Sequence, residues 1–284
     1  MCQHDMNVKA IKTHKITTDD KDILEILDKY LPRHSGEELK TTTPESEKEE
    51  DSGRASLARM TNGVIRENSV VVVTSKIIAI CEGRVAEDTE ENRDRLVEEE
   101  AEYYLPRHSN KYDFCISIKH NTFTATAGID RSNGNGKLVL WPKDPQESVN
   151  KIREYLCKRF GLKNIGVITT DSKTSPLRWG VTGVALSHSG FKALKDYINT
   201  PDVFGRKLQF EKLNIADSLA SAAVAVMGEG SEQTPLAIIE DLPFVEFQDR
   251  NPTQEELDNL RIELEDDVFA PLLTSVDWKR GRGH

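Results

Sequence analysis

Three acidic residues stand where a sequence changes from one element to the next, each beside small neighbours. Asp130 closes Ala127-Gly128-Ile129-Asp130 after a strand-like run, Asp171 ends the apolar run 165–170, and Glu229 lies in Met227-Gly228-Glu229-Gly230 after a helical stretch. Element ends of this kind gather the working side chains of mixed α and β proteins. Their chemistry would be that of hard cations, which take carboxylate oxygens, water and substrate phosphate. A pair of such ions can hold a phosphoryl group in transit. Taken singly, each acid is as readily a turn former or a helix terminator, and the residues alone leave that reading open.

The whole chain sharpens the question. Its 284 residues carry 38 Lys and Arg against 48 Asp and Glu, a net charge of −10. Nucleic acid is thereby disfavoured, because phosphate backbones need a basic face. Any anionic substrate must meet local Lys or Arg, or be bridged by a divalent cation. Residues 1–10 lack an apolar signal core, and apolar runs such as 70–73 are far too short for a bilayer. The four cysteines, Cys2, Cys81, Cys115 and Cys157, form no C-x-x-C pair, so reduced thiols in a cytoplasmic protein are expected.

The elements that would position the acids follow from periodicity. Strands are expected at 8–16, 69–74, 137–141, 165–170, 181–186 and 236–239, and a hairpin from 114–119 and 122–127 turning at His120-Asn121. Helices are expected over 23–27, from Ser75 onward, and at 87–104, 145–160, 216–227 and 253–264. Asp144-Pro145-Gln146-Glu147 is a strong start signal and Gly161 a stop. The acidic, polar stretch 35–59 reads as an inserted loop, and the basic tail 279–284 as loose. The hexapeptide YLPRHS occurs twice, at 30–35 and 104–109, without a surrounding repeat. P-loop, G-x-S-x-G and H-E-x-x-H motifs are absent.

Three stretches carry a resemblance: 71–84 (VVVTSKIIAICEGR), 126–145 (TAGIDRSNGNGKLVLWPKDP) and 165–239, with ITTDS, WGVTGVALSHSG, KDYINTPDVFGRKL, NIADSLASAAVAVMGEG and TPLAII. In this order they resemble the F420-0:γ-glutamyl ligase family. The resemblance implies an α+β fold of mixed sheets with flanking helices and two subdomains, residues 1–247 forming the ligase-like domain and 248–284 a C-terminal helix and tail. It implies a homodimer, GTP as co-substrate, Mg²⁺ or Mn²⁺, L-glutamate and a small carboxylate acceptor, F420-0 or a folate. It also implies roles. Asp130, Asp171, Ser172 and Glu229 would hold metal, with Asp130 and Asp171 central to catalysis, and Ser75, Lys76, Asn133, Met227, Gly228 and Gly230 would contact nucleotide.

Departures from the family pattern accompany it. Ser172 stands for the usual Thr and keeps a hydroxyl. Ile80 stands where the family carries Lys, which leaves Lys76, Lys173 or Arg178 to face phosphate. Alternatives are an amide ligase using another amine donor, or a nucleotide- and metal-binding protein without ligase activity.

Overall fold

The computed structural model describes residues 6–31 and 65–283; the expected insertion at 35–59 and most of the first YLPRHS copy lie outside them. The fold is α+β, as the resemblance implied.

A five-stranded mixed sheet forms the larger layer. Across it run Asn7–Ile11, Leu236–Glu240, Ser69–Thr74, Ile165–Thr174 and Val181–Ser189. Only the Ser69–Thr74 and Ile165–Thr174 pair is parallel. Strand side chains alternate between faces. Val71 and Val73 therefore join a core with the Ile23–Tyr30, Ser75–Cys81 and Pro145–Phe160 helices, while Val70 and Val72 join another under the Ile215–Met227 helix. Burial on both faces is why this strand is uninterrupted valine rather than alternating.

Helix ends follow their sequence signals. Asp144 accepts the Glu147 N–H at 2.8 Å, Pro145 opens the helix, and Gly161 closes it in the left-handed region. The small residues of Ile215–Met227 serve close packing: a Cβ on Gly183 would lie 2.4 Å from the Ala220 carbonyl oxygen.

The smaller layer is a four-stranded antiparallel sheet of Lys279–Arg280, Tyr103–Leu105, Ile116–Lys119 and Thr122–Ala125, backed by the Glu90–Glu100 helix. Its hairpin turns at His120 and Asn121, both at positive φ, the geometry a two-residue hairpin favours.

Several expectations are corrected. The charged helix stops at Glu100, and Tyr103–Leu105 is a strand because it pairs with Ile116–Lys119. The first strand spans only Asn7–Ile11. The helix expected at 253–264 is the single turn Gln254–Asp258; its continuation buries no residue that would sustain it. The strand from Val181 runs on to Ser189, enclosing His188 in the core rather than in a loop.

The tail is docked. Backbone N–H groups of Gly281, Arg282 and Gly283 donate to the carbonyls of Glu102, Glu98 and Ala101. The Glu98 carbonyl is one that the helix C-terminus leaves unpaired. A Cβ at Gly281 would sit 1.9 Å from the Ala101 oxygen, so only glycine admits this contact.

Candidate functional site

The site forms where the two layers meet. Asp130 belongs to the smaller one. The turn before it, Thr126–Gly128, holds three successive residues at positive φ (50°, 52° and 71°). That conformation is costly for Thr and Ala. It is held by the Ala127 N–H donating to Ser117 Oγ at 2.7 Å and the Thr126 N–H to the Cys115 carbonyl at 2.8 Å. Asp130 then bridges Val139 through two backbone hydrogen bonds, with its carboxylate turned to the rim.

Asp171 belongs to the larger layer. It does not end its strand: the Ile165–Thr174 strand continues past it, paired with Val181–Ser189, after a bulge between Thr169 and Thr170. Bulges re-aim side chains beside sites, and their single extra residue is invisible to a period-two reading. Glu229 lies just after the Ile215–Met227 helix, beyond Gly228 at positive φ.

Polar contacts link the residues expected at the site. Lys76 Nζ lies 2.6 Å from Asp130 Oδ2 and donates to the Ser132 carbonyl and hydroxyl, each at 3.0 Å. Ser132 donates its N–H to Asp130 Oδ1 at 2.7 Å. Asn133 Nδ2 donates to the Gly230 carbonyl at 3.2 Å. The 227–234 turn is closed by Thr234 donating to the Met227 carbonyl and by the Gly230 N–H donating to Glu232 at 2.8 Å. Ser172 donates its hydroxyl to Glu229, and its N–H to Asp171 Oδ1 at 2.8 Å. Ser75 is buried at the start of its helix, beside Lys76.

Electrostatics separate the two aspartates. Burial works to raise the Asp130 carboxyl, but the Lys76 ammonium and the Ser132 donors hold it below its usual value. Asp171 has no cation in hydrogen-bond contact. Burial pushes it up to about 6, the Ser172 and Trp141 donors offset this only in part, and the Asp130 charge adds to the rise.

Trp141 is the residue that sequence reading missed. It was legible only as the end of a strand before a proline. Its buried indole N–H donates to Asp171 Oδ2. Ile80 is also explained: it is buried against Ala79 and Val139, a core position rather than an open phosphate contact. Lys76 supplies the local cation, while Lys173 and Arg178 pair with none of the site carboxylates.

The donor set of Asp130, Asp171, Ser172 and Glu229 is all oxygen, which suits a hard cation. Among the described residues, however, no three His, Cys, Asp or Glu side chains are drawn together closely enough to ligate one ion. Asp130 is taken up by Lys76, and Glu229 by Ser172. A cavity of about 500 Å³ beside the Glu90–Glu100 helix, lined by residues including Asp94, Tyr104, Arg107 and Lys279, contains none of these groups.

Residues 4–241 match the family model described as F420-0:Gamma-glutamyl ligase. The coenzyme F420:L-glutamate ligase of Methanocaldococcus jannaschii is 32% identical over 202 residues, 63% of this chain and 79% of the relative. That of Archaeoglobus fulgidus is 34% identical over 209 residues, 66% and 81% of the two chains. One from Methanococcus maripaludis is 42% identical over 131 residues, 46% of this chain and 52% of the relative.

Proposed function

The chain belongs to the F420-0:γ-glutamyl ligase family, a family of amide-forming ligases, and on that premise we propose that it joins L-glutamate to a small carboxylate acceptor, F420-0 or a folate, at the expense of GTP. The acceptor carboxylate attacks the γ-phosphorus and GDP leaves. The glutamate amine then attacks the acyl carbon, phosphate departs, and the nitrogen gives up a proton. Activation is required because a carboxylate has no adequate leaving group.

The observation that carries this reading is the Asn133–Gly230 contact, which brings the stretch holding the Lys76–Asp130 pair alongside the one holding Glu229, itself bonded to Ser172 next to Asp171. Lys76 would meet phosphate oxygens, and Asn133 with the 227–234 turn would hold the nucleotide. Asp130, Asp171, Ser172 and Glu229 would hold a Mg²⁺ or Mn²⁺ ion only once Asp130 had left Lys76 and Glu229 had left Ser172; the ion would offset triphosphate charge on an acidic protein. The burial that raises the Asp171 carboxyl would also weaken screening of charge there by bulk water.

A second copy of the chain is the partner we propose for the projecting hairpin, whose Leu177, Trp179 and Val181 are exposed; sedimentation of a monomer would oppose it. No helix among the described residues is long and apolar enough to cross a membrane.

Calorimetry with GTP, ATP and GDP, with and without Mn²⁺, tests the proposal. We expect metal-dependent binding that favours GTP, and its absence removes the ligase reading. Mass spectrometry of incubations with glutamate and each acceptor then identifies the product. GTP binding without any product would favour a nucleotide-binding protein that has lost the reaction.

A further inference from the structure

Asp171 projects from the larger layer, yet one of its carboxylate oxygens is held from the other side of the junction. The donor is the indole N–H of Trp141, a fully buried side chain that follows the Lys137–Val139 strand. The indole is fixed on several sides. His120 stacks on it at 6.1 Å between centroids and 15° between planes. Lys119 Nζ lies 5.3 Å from the ring centroid, itself held by Glu100 at 2.6 Å. The Trp141 carbonyl accepts from Arg84 Nε at 3.1 Å. Gly128 is cut to the indole's shape, since a Cβ there would lie 2.1 Å from Trp141 Cε2 and Nε1. Nothing in this arrangement needs an N–H for packing, because Phe would fill much of the same slab. The N–H has one acceptor, and it is Asp171.

We propose that Trp141 is a positioning residue: its indole N–H on Oδ2, together with the Ser172 N–H on Oδ1, fixes the rotamer of Asp171 and so presents the carboxylate to a divalent cation. Groups that orient a metal's carboxylate from behind commonly change affinity by about 10- to 100-fold when removed. Trp141 thereby couples the layers, because the turn that sets Asp130 also carries Gly128, which shapes the seat of the indole. The inference rests on the metal-dependent reading of the site, and its test separates the two.

The first measurement uses the wild-type chain labelled with ¹⁵N-tryptophan. Three indole N–H resonances are expected, assigned with Trp179→Phe and Trp278→Phe. Adding Mg²⁺ with GTP should move the Trp141 resonance and leave that of exposed Trp179 in place. The second is calorimetry of Mn²⁺ binding, in the presence of GTP, to Trp141→Phe, with far-ultraviolet circular dichroism to report folding. Affinity should fall about tenfold or more with the dichroism retained. An unmoved Trp141 resonance at saturating Mg²⁺, or equal Mn²⁺ affinity in folded Trp141→Phe, overturns the positioning role while leaving the ligase reading intact. If the variant does not fold, the wild-type resonance decides. If wild type itself binds no Mn²⁺ with GTP, the metal-dependent reading falls, and this inference with it.

Discussion

The two aspartates of the site share a side chain and little else. Asp130 stands on a strained turn of the smaller layer, in contact with an ammonium and two serine donors. Asp171 stands on a continuous strand of the larger layer, between two neutral donors and with no cation at contact distance. Their affinities for a proton are driven in opposite directions, Asp130 down and Asp171 up. Carboxyl pairs whose environments separate them in this way divide labour in many enzymes. The contrast teaches that a second acid near a first need not be neutralised by another basic residue. Burial and neutral dipoles can hold it instead.

The largest expected effect breaks the contrast at Asp171. Asp171→Asn keeps the shape and removes the charge, and turnover in a GTP and glutamate assay should fall by about 10²- to 10³-fold, with the circular dichroism spectrum unchanged. Equal turnover would remove Asp171 from the mechanism. Lys76→Met acts on the other side, stripping Asp130 of its ammonium. GTP affinity measured by calorimetry should fall about 10- to 100-fold, the worth of a charge-assisted contact.

A third test sharpens the comparison through pH, on the metal-free protein. Asp171, raised to about 6, favours the folded state while it is neutral. Its contribution is fully present below about pH 4 and is lost as the pH rises through about 6, amounting to roughly 3 kcal/mol. Asp130 runs the other way: its contribution is present above the ordinary carboxylate range and is lost as the pH falls through its lowered value. Urea midpoints across pH 3–8 should therefore lose their decline toward neutrality in Asp171→Asn, and lose part of their acid sensitivity in Asp130→Asn. Unchanged profiles would mean the two environments do not differ as described.

The smallest effect concerns support. Gly281→Ala should lift the tail from the Ala101 carbonyl and cost about 1 kcal/mol, the worth of a few terminal hydrogen bonds. The melting point should drop by about 2 °C. Turnover unchanged in that variant would show that the Asp130 layer tolerates loss of its edge.

The residues legible in the sequence are those whose neighbours in the chain determine them. The valine strand, the Asp144 cap and the His120-Asn121 turn all carry local signals. The second YLPRHS copy shows where such signals end. Tyr30 closes a helix, whereas Tyr104, starting the same six letters, lies in a strand. What differs is the partner: Tyr104 has Ser117 and Lys279 beside it in a sheet. Trp141 escaped for the same reason. Its acceptor lies 30 positions away, and no pattern within a turn or a strand announces that reach. The continuation of the strand past Asp171, beyond the bulge at Thr169 and Thr170, is likewise a property of the pairing.

The docked C-terminus has a practical corollary. Because Lys279–Arg280 is hydrogen-bonded into a sheet and Gly283 to a helix end, a protease nicking the exposed acidic stretch 263–267 would yield two fragments that still travel as one through a sizing column. They would part only in denaturant, so an intact elution volume is no proof of an uncut polypeptide.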